Sequence, residues 1–136
     1  ERSGPERFLS TYNVLLELIN SAKNKNDSEI DRTIGKLTAQ LVSLRTMSIS
    51  IAGMLERGEN PDVAAAVVKD TGNEFERQVI ELTRKALPLE PTLNGDNIEK
   101  YESMMAELIM QLPSFSFRGG TPEIMRGIIA RGLGVR

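Results

Sequence analysis

Apolar residues recur along this chain at intervals of three and four positions, which is the period of an amphipathic α-helix. No segment alternates apolar and polar residues with period two over a useful length, so the pattern carries no signal for a sheet. It predicts an all-α protein with four main helices and a short fifth. The apolar stripes are Phe8, Tyr12, Leu15 and Ile19; Ile30, Ile34, Leu37, Leu41, Leu44, Met47, Ile51 and Met54; Val63, Val67, Phe75, Val79 and Leu82; Ile98, Tyr101, Met105, Leu108 and Leu112; and Ile124, Ile128 and Ile129.

Capping and breaking residues between the stripes predict where the helices begin and end. The start signals are Pro5, Asp27, Asn60 with Pro61, and Thr121 with Pro122, and the stop signals are Gly58 and Pro113. We expect residues 114–120 to form a short irregular connection. Short connections favour antiparallel neighbours. We therefore predict an antiparallel up-down four-helix bundle with a short extra C-terminal helix, forming one domain over residues 1–136.

Composition narrows the chemistry that the chain can perform. The 136 residues contain no Cys and no His, which excludes a thiolate metal site, a cysteine nucleophile and a histidine base. Acid–base chemistry must therefore fall to Asp, Glu, Lys or Tyr. The net charge is −2 without a basic stripe, so we expect no nucleic-acid partner. No apolar run approaches the roughly 18 residues of a membrane span, so we expect none.

Two consecutive glycines stand before the last predicted helix. Gly119 and Gly120 let the backbone approach a ligand closely. Thr121 then starts a helix whose N-terminal N–H groups and dipole favour anions or polar ribose oxygens. The alternative is a flexible turn followed by an ordinary Thr cap, because Gly-Gly before a cap is common. The residue types alone leave both interpretations open.

The residues of this tail match a known pattern. Residues 117–131 read Phe-Arg-Gly-Gly-Thr-Pro-Glu-Ile-Met-Arg-Gly-Ile-Ile-Ala-Arg, which resembles the C-terminal signature of acyl-CoA dehydrogenases. That signature is a Gly-Thr pair, an acidic or amide residue, Ile, an Arg, two apolar residues and Ala-Arg. More loosely, residues 44–69 resemble the paired long helices of this family, and residues 4–9 the start of its first helix. The resemblance implies the C-terminal helical domain of a flavoprotein that also has an N-terminal helical domain and a middle β domain.

An activity and a set of partners follow from the resemblance. Members of the family use FAD to oxidise an acyl-CoA thioester to its 2,3-enoyl form. A carboxylate removes the α-proton while the β-hydrogen leaves as hydride to the flavin. The implied partners are an acyl-CoA substrate, an electron-accepting flavoprotein and further subunits of a homo- or hetero-oligomer. We expect a cytoplasmic location, and a start at Glu1 rather than Met suggests a fragment of a larger flavoprotein that is inactive by itself.

The resemblance also assigns site residues. Thr121 and Glu123 match the residues that lie against the flavin dinucleotide, and Gly119 and Gly120 shape the same turn. One family position for the base falls on Gly119, which cannot act as one. The other is a Glu followed by Arg on the first helix, which matches Glu6, so Glu6 is the expected α-proton acceptor. The alternative for Glu6 is an acid at a helix N-terminus that interacts with the helix dipole.

Two family motifs that contact flavin across subunits have no counterpart here. An Arg-x-x-Phe-Gly motif is missing from residues 23–36, and residues 82–88 replace a Gln-x-x-Gly-Gly-x-Gly motif. These departures indicate a divergent bacterial-type member, one that fits a subunit of a mixed assembly. They leave open a non-catalytic helical interaction or oligomerisation domain descended from the family. A regulatory or adaptor four-helix module unrelated to flavins is a third hypothesis, supported only by the bundle.

Overall fold

The computed structural model describes residues 11–23, 25–87, 90–93 and 100–135, and these described residues form five helices. They are α1 (Tyr12–Ala22), α2 (Ser28–Glu56), α3 (Asp62–Ala86), α4 (Lys100–Phe117) and α5 (Pro122–Gly132). No strand occurs within these described residues, which confirms the all-α prediction. Pro5, Phe8 and Ile98, which contributed to the predicted helices, lie outside the described residues.

Local signals set both ends of α2 as the sequence predicted. The Asp27 Oδ1 atom accepts hydrogen bonds from the backbone N–H groups of Glu29 at 2.8 Å and Ile30 at 3.4 Å. These bonds satisfy donors of the first turn that have no partner within the helix. At the other end the helix stops at Glu56, and Gly58 adopts a φ of 71°, in the left-handed region that favours glycine.

The start of α3 follows the prediction with a shift of one residue. The Asn60 Oδ1 atom accepts a hydrogen bond of 2.9 Å from the backbone N–H of Asp62, the first helical residue, although the N-cap position itself is taken by Pro61. Pro61 stands just before the first helical residue rather than at it. Because Pro61 has no N–H, it leaves no donor without a partner at this position.

Helix α4 corrects the prediction that Pro113 ends the fourth helix and that residues 114–120 are irregular. The helix continues through Pro113 to Phe117. A proline inside a helix removes one backbone hydrogen bond and strains the preceding turn. Here the side chain of Phe115 lies beyond the proline and is buried in the core, so tertiary packing supports the last turn. The connection to α5 is therefore confined to residues 118–121.

Helix α3 lies at the centre of the fold, because it packs against each of the other four helices. The core that these contacts enclose is aliphatic and contains few aromatic side chains. Its buried apolar residues are Val14, Leu15, Leu18, Ile30, Leu37, Leu44, Val68, Phe75, Val79, Ile80, Leu87, Tyr101, Met105, Leu108 and Phe115.

The predicted stripes are confirmed on α2 and on the described part of α4, but each of the other three helices carries an error. Tyr12, Val67 and Ile124 were expected to face the core and are 37%, 36% and 55% exposed. Residues close to them are buried instead: Val14 and Leu18 on α1, Val68 on α3 and Met125 on α5. The apolar face of a helix is wide enough to include two neighbouring rows of residues, so the sequence allows either row to be assigned to the core. The helices that pack against this face determine which row is buried.

Helices α3 and α5 run antiparallel, as two contacts along their length show. Arg126 pairs with Asp70, and further along α5 Gly132 lies so close to Val63 that a Cβ atom there would overlap the valine side chain. Residue numbers therefore rise along α5 as they fall along α3. The up-down order of α1 to α4 stays a prediction.

Candidate functional site

The candidate site is the turn that joins α4 to α5, defined as Arg118, Gly119, Gly120 and Thr121. Gly119 has a φ of 69° and Gly120 a φ of 112°. Both values lie in the left-handed region, where side chains other than glycine are strained. A Cβ atom on Gly120 would also lie 2.5 Å from the Cε atom of Met125, which is buried beneath the turn. The path of the turn therefore requires the glycine at position 120.

Thr121 caps α5 as the sequence predicted. Its backbone is extended, and its Oγ1 atom accepts a hydrogen bond of 3.5 Å from the backbone N–H of Ile124. Pro122 takes the first helical position and has no N–H to offer. The first turn of α5 thus retains few backbone donors for a bound anion.

Glu123 places a negative charge at this helix N-terminus. Its side chain is exposed, and its pKa lies below the usual value of 4.5, because its own backbone N–H and then the Thr121 hydroxyl stabilise the carboxylate, with a smaller effect from Arg126. The carboxylate complements the positive end of the helix dipole. It also repels a second anion, so this turn suits a ligand hydroxyl, which donates a hydrogen bond, better than it suits a phosphate. Of the two ligand groups expected at the turn, the geometry favours ribose-type hydroxyls.

Arg118 ties the start of the turn to the central helix. Its Nη2 atom donates a hydrogen bond of 2.9 Å to the Oε1 atom of Glu76 on α3. The side chain of Glu76 is only 2% exposed, and that of Arg118 is 34% exposed. The guanidinium also lies over the ring of Phe115, 4.5 Å from its centroid, which is a favourable cation–π geometry.

The sequence contained a signal for this pair that the prediction of the site missed. Glu76 falls at helical spacing among the residues that α3 buries, between Phe75 and Val79. A carboxylate in a buried row requires a cation or several donors. Its position could have marked Glu76 as a paired residue, but nothing in the spacing identifies Arg118, 42 positions away, as its partner.

The remaining site residue expected from the sequence is Glu6, the candidate base, and it lies outside the described residues. The four residues expected to bind the cofactor, Gly119, Gly120, Thr121 and Glu123, are all brought together at the α4–α5 turn.

Other features of the described residues place no second site near this turn. An open cavity of about 230 Å³ between α2 and α3 is lined by Ala39, Gln40, Ser43, Thr71, Glu74 and Phe75, none of which belongs to the turn. Within the described ranges, no group of three or more Asp and Glu side chains is arranged to hold a metal ion. No helix in the same part of the chain is long and apolar enough to cross a membrane.

Comparison with known proteins identifies the family. The family model described as Acyl-CoA dehydrogenase, C-terminal domain matches residues 13–134, a range that includes α2 to α5 and all of α1 except its first residue. No curated protein and no solved structure gives a match. The matched range ends beyond the glycine turn and its capped helix, which are the features that first indicated a ligand site. The chain therefore belongs to the acyl-CoA dehydrogenase C-terminal domain family.

Proposed function

We propose that this chain is the C-terminal domain of an FAD-dependent acyl-CoA dehydrogenase that performs α,β-dehydrogenation of an acyl-CoA thioester. The observation that carries the proposal is the α4–α5 turn, where two glycines with positive φ precede a capped helix within the matched range. When bound, the flavin supplies the acceptor for the hydride that leaves the β-carbon of the substrate.

Within this function the turn holds the dinucleotide. Gly119, which is exposed, presents bare backbone that a cofactor can approach without meeting a side chain, while Gly120 lets the turn pass close to Met125. Thr121 and Glu123 face the approaching group from the start of α5, and the ionised carboxylate of Glu123 accepts a hydrogen bond from a cofactor hydroxyl. This chain therefore orients the cofactor by accepting hydrogen bonds from the cofactor's hydroxyl groups, and it does not neutralise the charge of the phosphates.

The proton transfer requires a carboxylate from elsewhere in the chain. Gly119 has no side chain, and the carboxylate of Glu76 is buried in a pair with Arg118. We assign the removal of the α-proton to Glu6, because Glu6 followed by Arg7 resembles the second position at which this family places its base. The proposal further includes an electron-accepting flavoprotein that reoxidises the cofactor, assembly into a homo- or hetero-oligomer, and a cytoplasmic location.

The test uses the full-length polypeptide that contains this chain, purified with FAD under anaerobic conditions. Acyl-CoA thioesters of several chain lengths are added and the loss of oxidised-flavin absorbance is followed. We expect bleaching with at least one thioester in the wild type. Glu6→Gln should retain FAD, but the rate of bleaching should fall by about 10²-fold or more, which is the size of a general-base contribution. Retained bleaching in Glu6→Gln would remove the assignment of the base but leave the cofactor site standing.

A second candidate function is a non-catalytic helical interaction or oligomerisation domain descended from the same family. The observation that favours it is Gly119, which stands where some relatives have a carboxylate. Full-length protein that binds no FAD yet forms a defined oligomer in analytical ultracentrifugation would support this alternative and contradict the dehydrogenase.

A further inference from the structure

The turn that carries the proposed cofactor site contains two adjacent glycines, which makes it costly to order. Glycine has more accessible backbone conformations than any other residue, so ordering Gly119 and Gly120 in one conformation costs more entropy than ordering other residues would. Thr121 fixes the exit of the turn through its cap on α5. A second anchor is needed at the entrance, and Arg118 is the residue at that position.

Contacts with two different helices hold Arg118 in place. The hydrogen bond of 2.9 Å to Glu76 connects it to the middle of α3, and the ring of Phe115 supports the guanidinium from the last turn of α4. Because Glu76 is only 2% exposed, moving Arg118 away would remove the cation from a carboxylate that water barely reaches. The central helix therefore dictates where the turn begins.

We propose that Arg118 and Glu76 form a positioning pair that holds Gly119, Gly120 and Thr121 in the conformation that receives the cofactor. This inference rests on the proposed function for its ligand. It extends that function by naming two residues that act through the turn without contacting the cofactor themselves. The pair sets the cofactor affinity by making the conformation of the turn available before binding.

A purely stabilising role is the competing explanation, and the physics of buried ion pairs separates the two. Replacing both members of a buried pair by uncharged side chains of similar volume often leaves stability unchanged, because the cost of desolvation disappears together with the attraction. A double variant, Glu76→Met with Arg118→Met, should therefore fold as well as the wild type. It should nevertheless lose the directional contact that positions the turn.

The control is a second ion pair on the same helix. Arg77 lies 2.9 Å from Glu74, the same distance as in the positioning pair, but the two side chains are 52% and 45% exposed and neither belongs to the turn. The matched control is Glu74→Met with Arg77→Met. It removes the same charges from neighbouring positions of α3 without touching residues 118–121.

Three quantities are measured on the full-length polypeptide: Tm, hydrogen exchange of a peptide covering residues 117–122, and the FAD dissociation constant from flavin fluorescence. We expect the Glu76/Arg118 double variant to melt within a few degrees of the wild type, to exchange faster in that peptide and to bind FAD about ten-fold more weakly or worse. The Glu74/Arg77 control should change neither the exchange nor the affinity. Arg118→Lys keeps the cation, so its hydrogen exchange in that peptide and its FAD affinity should lie between those of the double variant and the wild type.

The same measurements distinguish a failure of this inference from a failure of the proposed function. Wild-type protein that binds no FAD would end the dehydrogenase proposal, while the hydrogen exchange of the turn would still decide whether the pair positions it. Unchanged exchange in the double variant would overturn the positioning pair. If the wild type binds FAD, an unchanged FAD affinity in the double variant would also overturn the positioning pair. If the double variant does not fold, a folded Arg118→Lys decides: faster exchange of residues 117–122 together with weaker FAD binding than in the wild type supports the pair, and wild-type values of both overturn it.

Discussion

Gly120 is the residue at which the turn depends most directly on the absence of a side chain. Its φ of 112° is strained for any residue with a Cβ atom, and that atom would lie 2.5 Å from the Cε of Met125. The methionine can move, so the backbone strain dominates. We expect Gly120→Ala to lower the free energy of unfolding by about 1–3 kcal/mol, measured by urea denaturation.

Gly127→Ala is the matched control for this substitution. Gly127 lies on the same helix as Met125, and a Cβ atom there would meet nothing within 4 Å. Alanine in a helix interior is more favourable than glycine, so we expect this variant to gain about 0.5–1 kcal/mol. A loss of equal size in both variants would show that α5 as a whole, rather than the turn conformation, is sensitive to substitution.

The ionisation of Glu123 makes a prediction about pH. The pKa of Glu123 is lowered in the folded state by its own backbone N–H and the Thr121 hydroxyl. The ionised Glu123 carboxylate therefore stabilises the folded state fully above its unfolded-state pKa, near 4.5. This stabilisation is lost as the pH falls through the folded-state pKa. We expect the Glu123 carboxyl carbon, followed by NMR, to titrate with a midpoint below 4.5.

Substitutions at Thr121 test the cause of that shift. Thr121→Ala removes the hydroxyl and should move the Glu123 midpoint upward, whereas Thr121→Ser keeps the hydroxyl and should leave the midpoint in place. A Glu123 midpoint at or above 4.5 in the unmodified protein would contradict the hydrogen bonding of this helix start.

At the scale of a helix, α4 provides the sharpest contrast between a local signal and the fold. Pro113 is exposed and lies inside the helix, where it removes a backbone hydrogen bond. If α4 is continuous over residues 100–117, Pro113→Ala restores that bond and should raise the free energy of unfolding by about 1–3 kcal/mol. Urea denaturation with far-ultraviolet circular dichroism measures both the gain and the helix content.

The same substitution would behave differently if the helix ended at Pro113, as its sequence suggested. Alanine would then replace proline at a helix terminus, where proline is tolerated, and stability would stay the same or decrease. Gln111→Ala, also at an exposed position of α4, controls for the general preference of the helix for alanine.

The ends of the other helices were predictable because their causes are local. Asp27 accepts hydrogen bonds from residues two and three positions away, and Thr121 from a residue three positions away. Such contacts depend on a few neighbouring residues and can be recognised without knowing the fold. The continuation of α4 past Pro113 depends on Phe115 finding a place in the core, which no local pattern reveals.

At the scale of the whole molecule, the core rests on apolar residues of α2 and α3 that meet at the centre. Leu37 is completely buried, whereas Val42 on the same helix is 58% exposed. We expect Leu37→Ala to lower the free energy of unfolding by about 2–5 kcal/mol through lost transfer energy and a cavity. Val42→Ala should change it by less than about 0.5 kcal/mol. Equal losses in chemical denaturation would contradict the placement of α2.

The sequence by itself determined the helical class, four of the five helix starts or stops tested by the described residues, and the turn and helix start that contain four of the five expected site residues. It could do so because amphipathic periodicity, capping and glycine turns act over a few residues. It did not determine which of two neighbouring rows faces the core, as Val67 and Val68 show.

Only the tertiary structure decided how the turn is held. The contact between Arg118 and Glu76 joins residues 42 positions apart, and it forms because α3 packs against both α4 and α5 and brings a buried carboxylate to the entrance of the turn. The strength of such a contact depends on burial, and burial is a property of the assembled helices. Residue types could therefore indicate the candidate site, while the packing of α3 decides which buried residue meets Arg118.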